Sequence, residues 1–274
     1  MRICSLLPSA TEIVYGLCVS DQLVAATHEC DLPQEAARLP DITRSAINHA
    51  GSTSREVNSH FQSSSHQGSN IYHQDEEMLR RLTPDLMLTQ ELYAVSAVSH
   101  GEVCRAARVL EAPRRIISLE PSSLSGMLDT IAMVGEVAGV RAKAGKVTQR
   151  LKHRIVQVVI KVAADEKSAT ILAVEWLDSP LIGRHWVPEM LRLAGGQDAL
   201  GKEGESSAIV PWERTDAYDQ DVIVLMPCGF DRKRTVLEES KTTFPTEWPS
   251  LKTFQQRQVY AVDGSAYFAR LRPE

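Results

Sequence analysis

Residues 141–164 have the sequence RAKAGKVTQRLKHRIVQVVIKVAA, and this stretch decides the fold. It contains no proline and only one glycine, and its apolar residues recur at helical spacing, at Leu151, Ile155, Val158, Val159 and Val162. The spacing predicts one amphipathic helix, ~35 Å long if it runs unbroken. The first part of this helix carries six basic residues and no acidic residue, which indicates a solvated face or, as the alternative, an anion-binding strip.

Short apolar runs that are typical of buried strands lie on both sides of this segment. Four precede it and three follow it, at 3–7, 23–27, 86–89, 116–119, 170–174, 222–226 and 259–262. Helical patterns separate the runs, which predicts an α/β fold with mainly parallel sheets. We therefore expect an N-terminal α/β lobe at 1–140, a connecting helix at 141–164 and a C-terminal α/β lobe at 165–274.

Three local predictions concern the first lobe. The spacing of Ser9 and Glu12 after Pro8 predicts a capping box and a helix that opens there. Apolar residues at helical spacing after Pro121 predict another helix. The stretch 52–69 is rich in Ser, His and Gln and is expected to be a polar surface loop.

The composition excludes some classes of partner and indicates the cellular compartment. The net charge of -5 argues against nucleic acid as a partner, and no apolar run reaches the ~18 residues of a membrane span. Five cysteines without a C-x-x-C pair are typical of a reducing compartment, and the N-terminus shows no secretory leader pattern. We therefore expect a cytoplasmic protein, with an extracytoplasmic location as the alternative if a leader is missing from this chain.

Chemically capable side chains follow the predicted strands, where ligands bind in open α/β sheets. The polar members of this set are Ser9, His28, Glu29, Glu120, Glu175 and Cys228. Seven of the 15 aromatic residues fall in or beside the same loops, namely Tyr93, Trp176, Trp186, Trp212, Phe230, Tyr267 and Phe268. Scarce aromatic side chains gathered at one cleft indicate a large, flat and partly apolar ligand. The alternative is that Trp186 and Trp212 fill the cores of the lobes.

Two further interpretations concern metal binding and catalysis. His28 and Cys30 from one loop, with His185 from the other lobe, could hold a metal ion. A loop-stabilising hydrogen bond is the alternative role for His28. Cys228 between Pro227 and Gly229 resembles a nucleophile on a tight turn, for which His185 or His28 would be the base, and a buried structural thiol is the alternative.

Several motifs resemble the cobalamin and iron–siderophore substrate-binding proteins of ABC importers. In the first lobe they are CSLLPSATE at 4–12, LTPDLMLTQ at 82–90 and SLEP at 118–121. In the second lobe they are VEWLD at 174–178, HWVPEM at 185–190, AGG at 194–196 and MPCGFD at 226–231. The resemblance implies the class III fold, in which two α/β lobes are joined by one long helix. It also implies a corrinoid, haem-like or metal-chelate ligand in the cleft between the lobes.

The family docks to a membrane permease through an acidic residue on each lobe, and Glu77 is the candidate on the first. Only eight residues separate Trp212 from Asp221, so a helix carrying the second acid has little room and permease delivery is not favoured. We expect a soluble binding protein for a corrinoid, tetrapyrrole or metal chelate, with cobalamin or a metal ion as the bound group. The alternative is a cytosolic hydrolase or metal-dependent enzyme that uses Cys228, His185, Glu175 and His28.

Overall fold

The computed structural model describes residues 1–45, 52–66, 72–90, 115–163, 168–183, 185–215 and 219–268, with the side chains of 61–66 and 72 excepted. Within these ranges, one main sheet precedes and another follows a single long helix along the chain. This is the architecture that the sequence predicts. None of the helices in these ranges is long and apolar enough to cross a membrane.

The first lobe contains a four-stranded parallel sheet with the order β2-β1-β5-β6 and a separate antiparallel pair, β3-β4. Its strands are β1 (Ile3–Ser5), β2 (Leu23–Ala26), β3 (Thr43–Ser45), β4 (Tyr72–Gln74), β5 (Leu86–Thr89) and β6 (Arg115–Ser118). Its α-helices are α1 (Pro8–Gly16), α2 (Ser54–His66), α3 (Glu76–Leu82) and α4 (Leu124–Val137), with 3₁₀ turns at Ser20–Gln22 and Ala36–Arg38.

The second lobe is built on a mixed sheet with the order β10-β8-β7-β11-β12, in which β9 also pairs with β7. Its strands are β7 (Thr170–Leu177), β8 (Pro180–Ile182), β9 (Gln197–Asp198), β10 (Ala208–Ile209), β11 (Val222–Leu225) and β12 (Val259–Ala261). Strands β7, β11 and β12 are parallel, and β8 is antiparallel to its two neighbours. The α-helices are α6 (Val187–Leu193), α7 (Trp212–Thr215), α8 (Arg232–Glu239), α9 (Lys252–Gln255) and α10 (Gly264–Tyr267), with a 3₁₀ turn at Trp248–Ser250.

The connecting helix α5 (Arg141–Val162) packs along α4 and leaves most of its surface exposed. Ala144 and Leu151 are buried on its inner face. A Cβ atom at Gly135 would lie 2.3 Å from the Cβ of Ala144, so glycine is what allows the two helices to approach so closely here. The helix confirms the prediction made from 141–164 to within two residues of its end.

Two local predictions in the first lobe need correction. Helix α1 opens at Pro8 as predicted, but the capping box does not form: Leu7 is the N-cap and no side chain caps the helix, since proline already fits the first helical position. The segment 52–69, expected to be a loop, contains α2 instead. A different capping box forms at the start of α2: Glu56 Oε2 accepts from the amide of Thr53 at 2.7 Å, and Thr53 Oγ1 accepts from the amide of Glu56 at 3.3 Å.

Candidate functional site

A pocket lies where the carboxyl ends of three first-lobe strands meet the second lobe. It is a small cavity of about 40 Å³ that opens to solvent. Ser9 follows β1, Gln90 follows β5, and Trp186 comes from the second lobe just ahead of α6. The remaining lining residues are Ile13, Leu119, Pro121, Met127 and Thr130. The pocket therefore lies between the lobes, at the edge of the first-lobe sheet where its strands end.

The position of Trp186 is fixed by its own lobe. Its indole Nε1 donates to the carbonyl oxygen of Phe268 at 2.8 Å, and its ring centroid lies 5.9 Å from that of His185. Trp186 also packs against the second-lobe core at Ala173, Val187 and Met226, and the part that remains accessible lines the pocket. An indole held in this way offers a large, pre-ordered apolar surface to a ligand.

His185 lies behind Trp186 and is 6% exposed. Its backbone has a φ of 53° and is held by two hydrogen bonds, from its own amide to Glu205 and from the amide of Gly204 to its carbonyl. Burial lowers the pKa of His185 below the ordinary value for histidine, because the charged imidazolium is poorly solvated there. The neutral imidazole is therefore the favoured form at this position.

The loop after β2 engages its polar side chains within the first lobe. His28 Nδ1 lies 2.7 Å from Thr43 Oγ1, and His28 Nε2 lies 3.3 Å from Glu29 Oε1. Cys30 is buried, with its Sγ 3.1 Å from Thr11 Oγ1. Across the described ranges, His, Cys, Asp and Glu side chains form no group of three or more that could hold a metal ion. The geometry therefore provides His28 with the loop-stabilising hydrogen bond that was the alternative to metal binding.

Trp176 and Phe230 come together at the second-lobe side of the cleft, whereas the side chain of Glu175 makes its own contact within the same lobe. Glu175 Oε2 accepts from Ser207 Oγ at 2.6 Å. The rings of Trp176 and Phe230 are 5.2 Å apart, and the Arg234 guanidinium lies over the Phe230 ring at 4.8 Å from its centroid. These contacts make a compact aromatic and cationic cluster next to the cleft.

The two lobes touch through polar contacts on both sides of this region. The amide of Leu124, at the start of α4, donates to Glu189 Oε2 at 2.8 Å. At the start of α2, the amide and hydroxyl of Ser54 donate to Glu238 Oε1 at 2.5 and 2.7 Å. In both contacts a second-lobe carboxylate caps the N-terminus of a first-lobe helix, where backbone amides lack helical partners and the helix dipole favours negative charge.

The family of periplasmic binding proteins matches the chain over residues 3–266. The chain belongs to this family. No curated protein matches it at a significant level. The resemblance to importer binding proteins and the class III fold are thereby confirmed.

Solved structures of this fold are similar over nearly the whole chain. An ABC transporter substrate-binding protein from Listeria monocytogenes EGD-e has 19% identity and a TM-score of 0.72, covering 99% of this chain and 93% of its own. The vitamin B12 binding protein BtuF of Vibrio cholerae has 18% identity and a TM-score of 0.67, covering 96% and 87%. IsdE of S. aureus, complexed with heme, has 16% identity and a TM-score of 0.71, covering 99% and 93%.

The structure separates the predicted aromatic residues of this periplasmic binding protein into distinct locations. Trp186 lines the pocket, and Trp176 and Phe230 lie at the second-lobe side of the cleft. Trp212 is instead 8% exposed in the second-lobe core, where its ring centroid lies 4.5 Å from that of Trp248. Tyr267 is 65% exposed. Tyr93 lies outside the described residues.

The predicted polar residues also differ in their surroundings. Ser9 lines the pocket, whereas Glu120 is exposed and accepts a hydrogen bond from Ser118. Cys228 is exposed on the turn after β11, and its amide donates to the carbonyl of Glu175 at 3.1 Å. Its thiol is thus on the surface, unlike the buried structural thiol considered as the alternative.

Four residues of the site region were missed as functional candidates: Gln90, Thr130, Ser54 and Glu238. Thr130 follows Met127 by three residues on α4, so the helical spacing that places Met127 inward also places Thr130 at the pocket. Ser54 could have been found from the Thr53–Glu56 capping box. Nothing local marks Glu238, because its importance comes from the contact with the other lobe.

Proposed function

We propose that this chain binds a corrinoid, tetrapyrrole or metal-chelate ligand in the cleft between its lobes. The observation that carries the proposal is the pocket at the carboxyl ends of β1, β5 and β6, closed from the other lobe by the indole of Trp186. The solved structures that share this fold include a vitamin B12 binding protein and a protein complexed with heme. Capture is reversible, and no bond is made or broken.

The residues of the pocket suit a flat ligand with polar edges. Ile13, Leu119 and Met127 give apolar walls, and the Trp186 indole gives a broad ring surface. Ser9 and Gln90 supply the hydroxyl and amide groups that would contact polar substituents at the ligand's rim. The ligand is larger than the pocket alone and would extend across the cleft toward Trp176 and Phe230.

The test is a titration of the purified protein with cyanocobalamin and, separately, with haemin, followed by absorbance and tryptophan emission. Trp186→Ala should weaken binding by about 30-fold, since losing a central aromatic anchor costs on the order of 2 kcal/mol. Trp212→Phe is the control and should bind like the wild type, because Trp212 lies in the lobe core. Spectra that stay unchanged with both probes far above micromolar concentration would refute the proposal.

Axial metal ligation by His28 or His185 is a separate part of the proposal. His28 has its Nδ1 hydrogen-bonded to Thr43, which fixes the ring as ligating histidines require. Ligation by Nε2 would require Glu29 to move away from this nitrogen. Metal analysis of the protein as isolated, compared with His28→Ala, should show metal only in the wild type. Equal metal content in both would exclude His28 as a ligand.

Delivery to a permease and cellular location also stay proposals. Glu77 lies on the exposed first turn of α3, as a docking acid would. Only eight residues separate Trp212, where α7 begins, from Asp221, which leaves little room for a helix with the matching acid on the second lobe. We therefore do not favour permease docking through Glu77, and we propose a cytoplasmic location from the cysteine pattern, with an extracytoplasmic location as the alternative. Co-purification of a permease with the wild type but not with Glu77→Ala would contradict this.

A further inference from the structure

Residues 52–55, here called the strap, cross from the first lobe to the second just ahead of and within the first turn of α2. The carbonyl of Ser52 accepts a hydrogen bond from Arg234. Ser54 donates twice to Glu238 Oε1, as described above. Arg55 Nε donates to Asp178 Oδ2 at 2.7 Å. The strap is therefore tied to two separate elements of the second lobe, α8 and the turn after β7.

The same strap is tied to the aromatic residues that we expect to face a large ligand. Trp176 Nε1 donates to the carbonyl of Ser54 at 3.2 Å. Phe230, next to Trp176, is only 5% exposed, and the guanidinium over its ring belongs to Arg234, which also holds Ser52. In this conformation the Trp176–Phe230 pair is engaged with the strap, while the pocket at Trp186 is open to solvent.

Glu238 is the residue on which the closed strap depends most. Its side chain is 2% exposed, and its carboxylate lies 3.8 Å from Arg234 Nε and accepts from both donors of Ser54. Ser54 is itself 1% exposed. Charge-assisted hydrogen bonds in such a buried place are strong, and the negative charge is further favoured by the N-terminus of α2.

We infer that the strap is a gate, held shut by Glu238, which a large planar ligand must displace in order to reach Trp176 and Phe230. The inference rests on the proposed function and specifies how access to that site is controlled. Where only the open fraction of a protein can bind, the apparent affinity and the observed association rate both fall in proportion to that fraction. A substitution that weakens the strap should therefore raise the association rate of a large ligand, even though it removes contacts from the protein.

The experiment compares two variants with a matched control. Arg55→Ala removes an exposed ion pair whose N–O distance is 2.7 Å, and Glu238→Gln removes the buried charge. Arg192→Ala removes an equivalent exposed ion pair, 2.7 Å from Glu203, that has no part in the strap. The association of haemin is followed by the quenching of tryptophan emission in rapid mixing. We expect association about 3- to 10-fold faster in both strap variants and unchanged in Arg192→Ala.

A second readout keeps the test valid if Glu238→Gln folds poorly. Hydrogen exchange at the amides of residues 54–57 is measured in the wild type with and without haemin. A gate predicts faster exchange on haemin binding, because the strap is released, whereas a purely structural strap would be unchanged or further protected. Haemin binding with unchanged association rates and unchanged or slower exchange overturns the gate alone. No binding of haemin or cyanocobalamin by any variant overturns the proposed function and the gate together.

Discussion

Gly264 connects the second-lobe sheet to the turn that carries Cys228 and Phe230, and Gly264→Ala should disturb both stability and binding. Gly264 is buried at the first position of α10, and its amide donates to the carbonyl of Phe230 at 3.2 Å. An added Cβ would lie 2.4 Å from the carbonyl oxygens of both Met226 and Pro227. Both are backbone atoms, so no flexible side chain can move away.

The size of the effect follows from this crowding. The two carbonyls must withdraw by roughly 1 Å to reach ordinary van der Waals contact, and overpacking of this kind costs about 1–3 kcal/mol. The displacement is transmitted to the 227–230 turn, so ligand affinity should fall together with stability. Alanine is otherwise acceptable at the start of a helix, and steric crowding is therefore the cause being tested.

The matched control is Gly145→Ala on α5. A Cβ there would meet nothing within 4 Å, so replacing a helical glycine should raise the free energy of unfolding by about 1 kcal/mol. Urea unfolding of the two variants and the wild type measures both changes, and the haemin titration measures affinity. Equal stability of Gly264→Ala and the wild type would refute the reasoning, as would destabilisation by Gly145→Ala.

Two further predictions concern ionisable side chains. Because the pKa of His185 is lowered in the folded state, the unfolded chain binds the proton more readily than the folded chain does. The free energy of unfolding is therefore highest above the ordinary histidine pKa, and it decreases as the pH falls toward the lowered pKa of the folded state. Urea unfolding should therefore show weaker pH dependence below pH 6.5 in His185→Asn than in the wild type, and equal dependence would contradict this assignment. Burial, with the Cys30 thiol nearby, raises the pKa of Cys4 to about 12. A thiol reagent should therefore label the exposed Cys18 and Cys228 long before the buried Cys4 and Cys30. Mass spectrometry that finds these four cysteines labelled at the same rate would contradict the burial.

Much of the fold could be predicted because its signals are local. Continuous apolar runs marked the parallel strands of both lobes, and the uninterrupted pattern of 141–164 marked α5. Five strands, β3, β4, β8, β9 and β10, were not predicted, since each is two or three residues long and is defined by its pairing rather than by its own sequence. Helix α2 was missed because its polar composition outweighed the capping box at its start.

Only part of the site could be predicted, from the rule that ligands bind where the strands of an open α/β sheet end. That rule and the scarcity of aromatic residues singled out Ser9 and Trp186, both of which line the pocket, and their part in binding stays a prediction. The scarcity of aromatic residues also suggested Trp212 as a ligand contact, but Trp212 packs against Trp248 in the second-lobe core, because a large indole suits a core as well as a ligand. The contact between Ser54 and Glu238 joins residues 184 positions apart, and no spacing in the sequence indicates it.

The two carboxylate caps between the lobes have different consequences for the cleft. Glu189 lies on α6 three residues after Trp186, and it caps α4 at Leu124, three residues before Met127. This contact therefore fixes the pocket wall by joining the helices that carry both sides of it. Glu238 instead caps α2 and touches none of the pocket-lining residues by hydrogen bond. Release of the strap can thus uncover Trp176 and Phe230 while the pocket keeps its shape, and a ligand can be captured with little relative movement of the lobes.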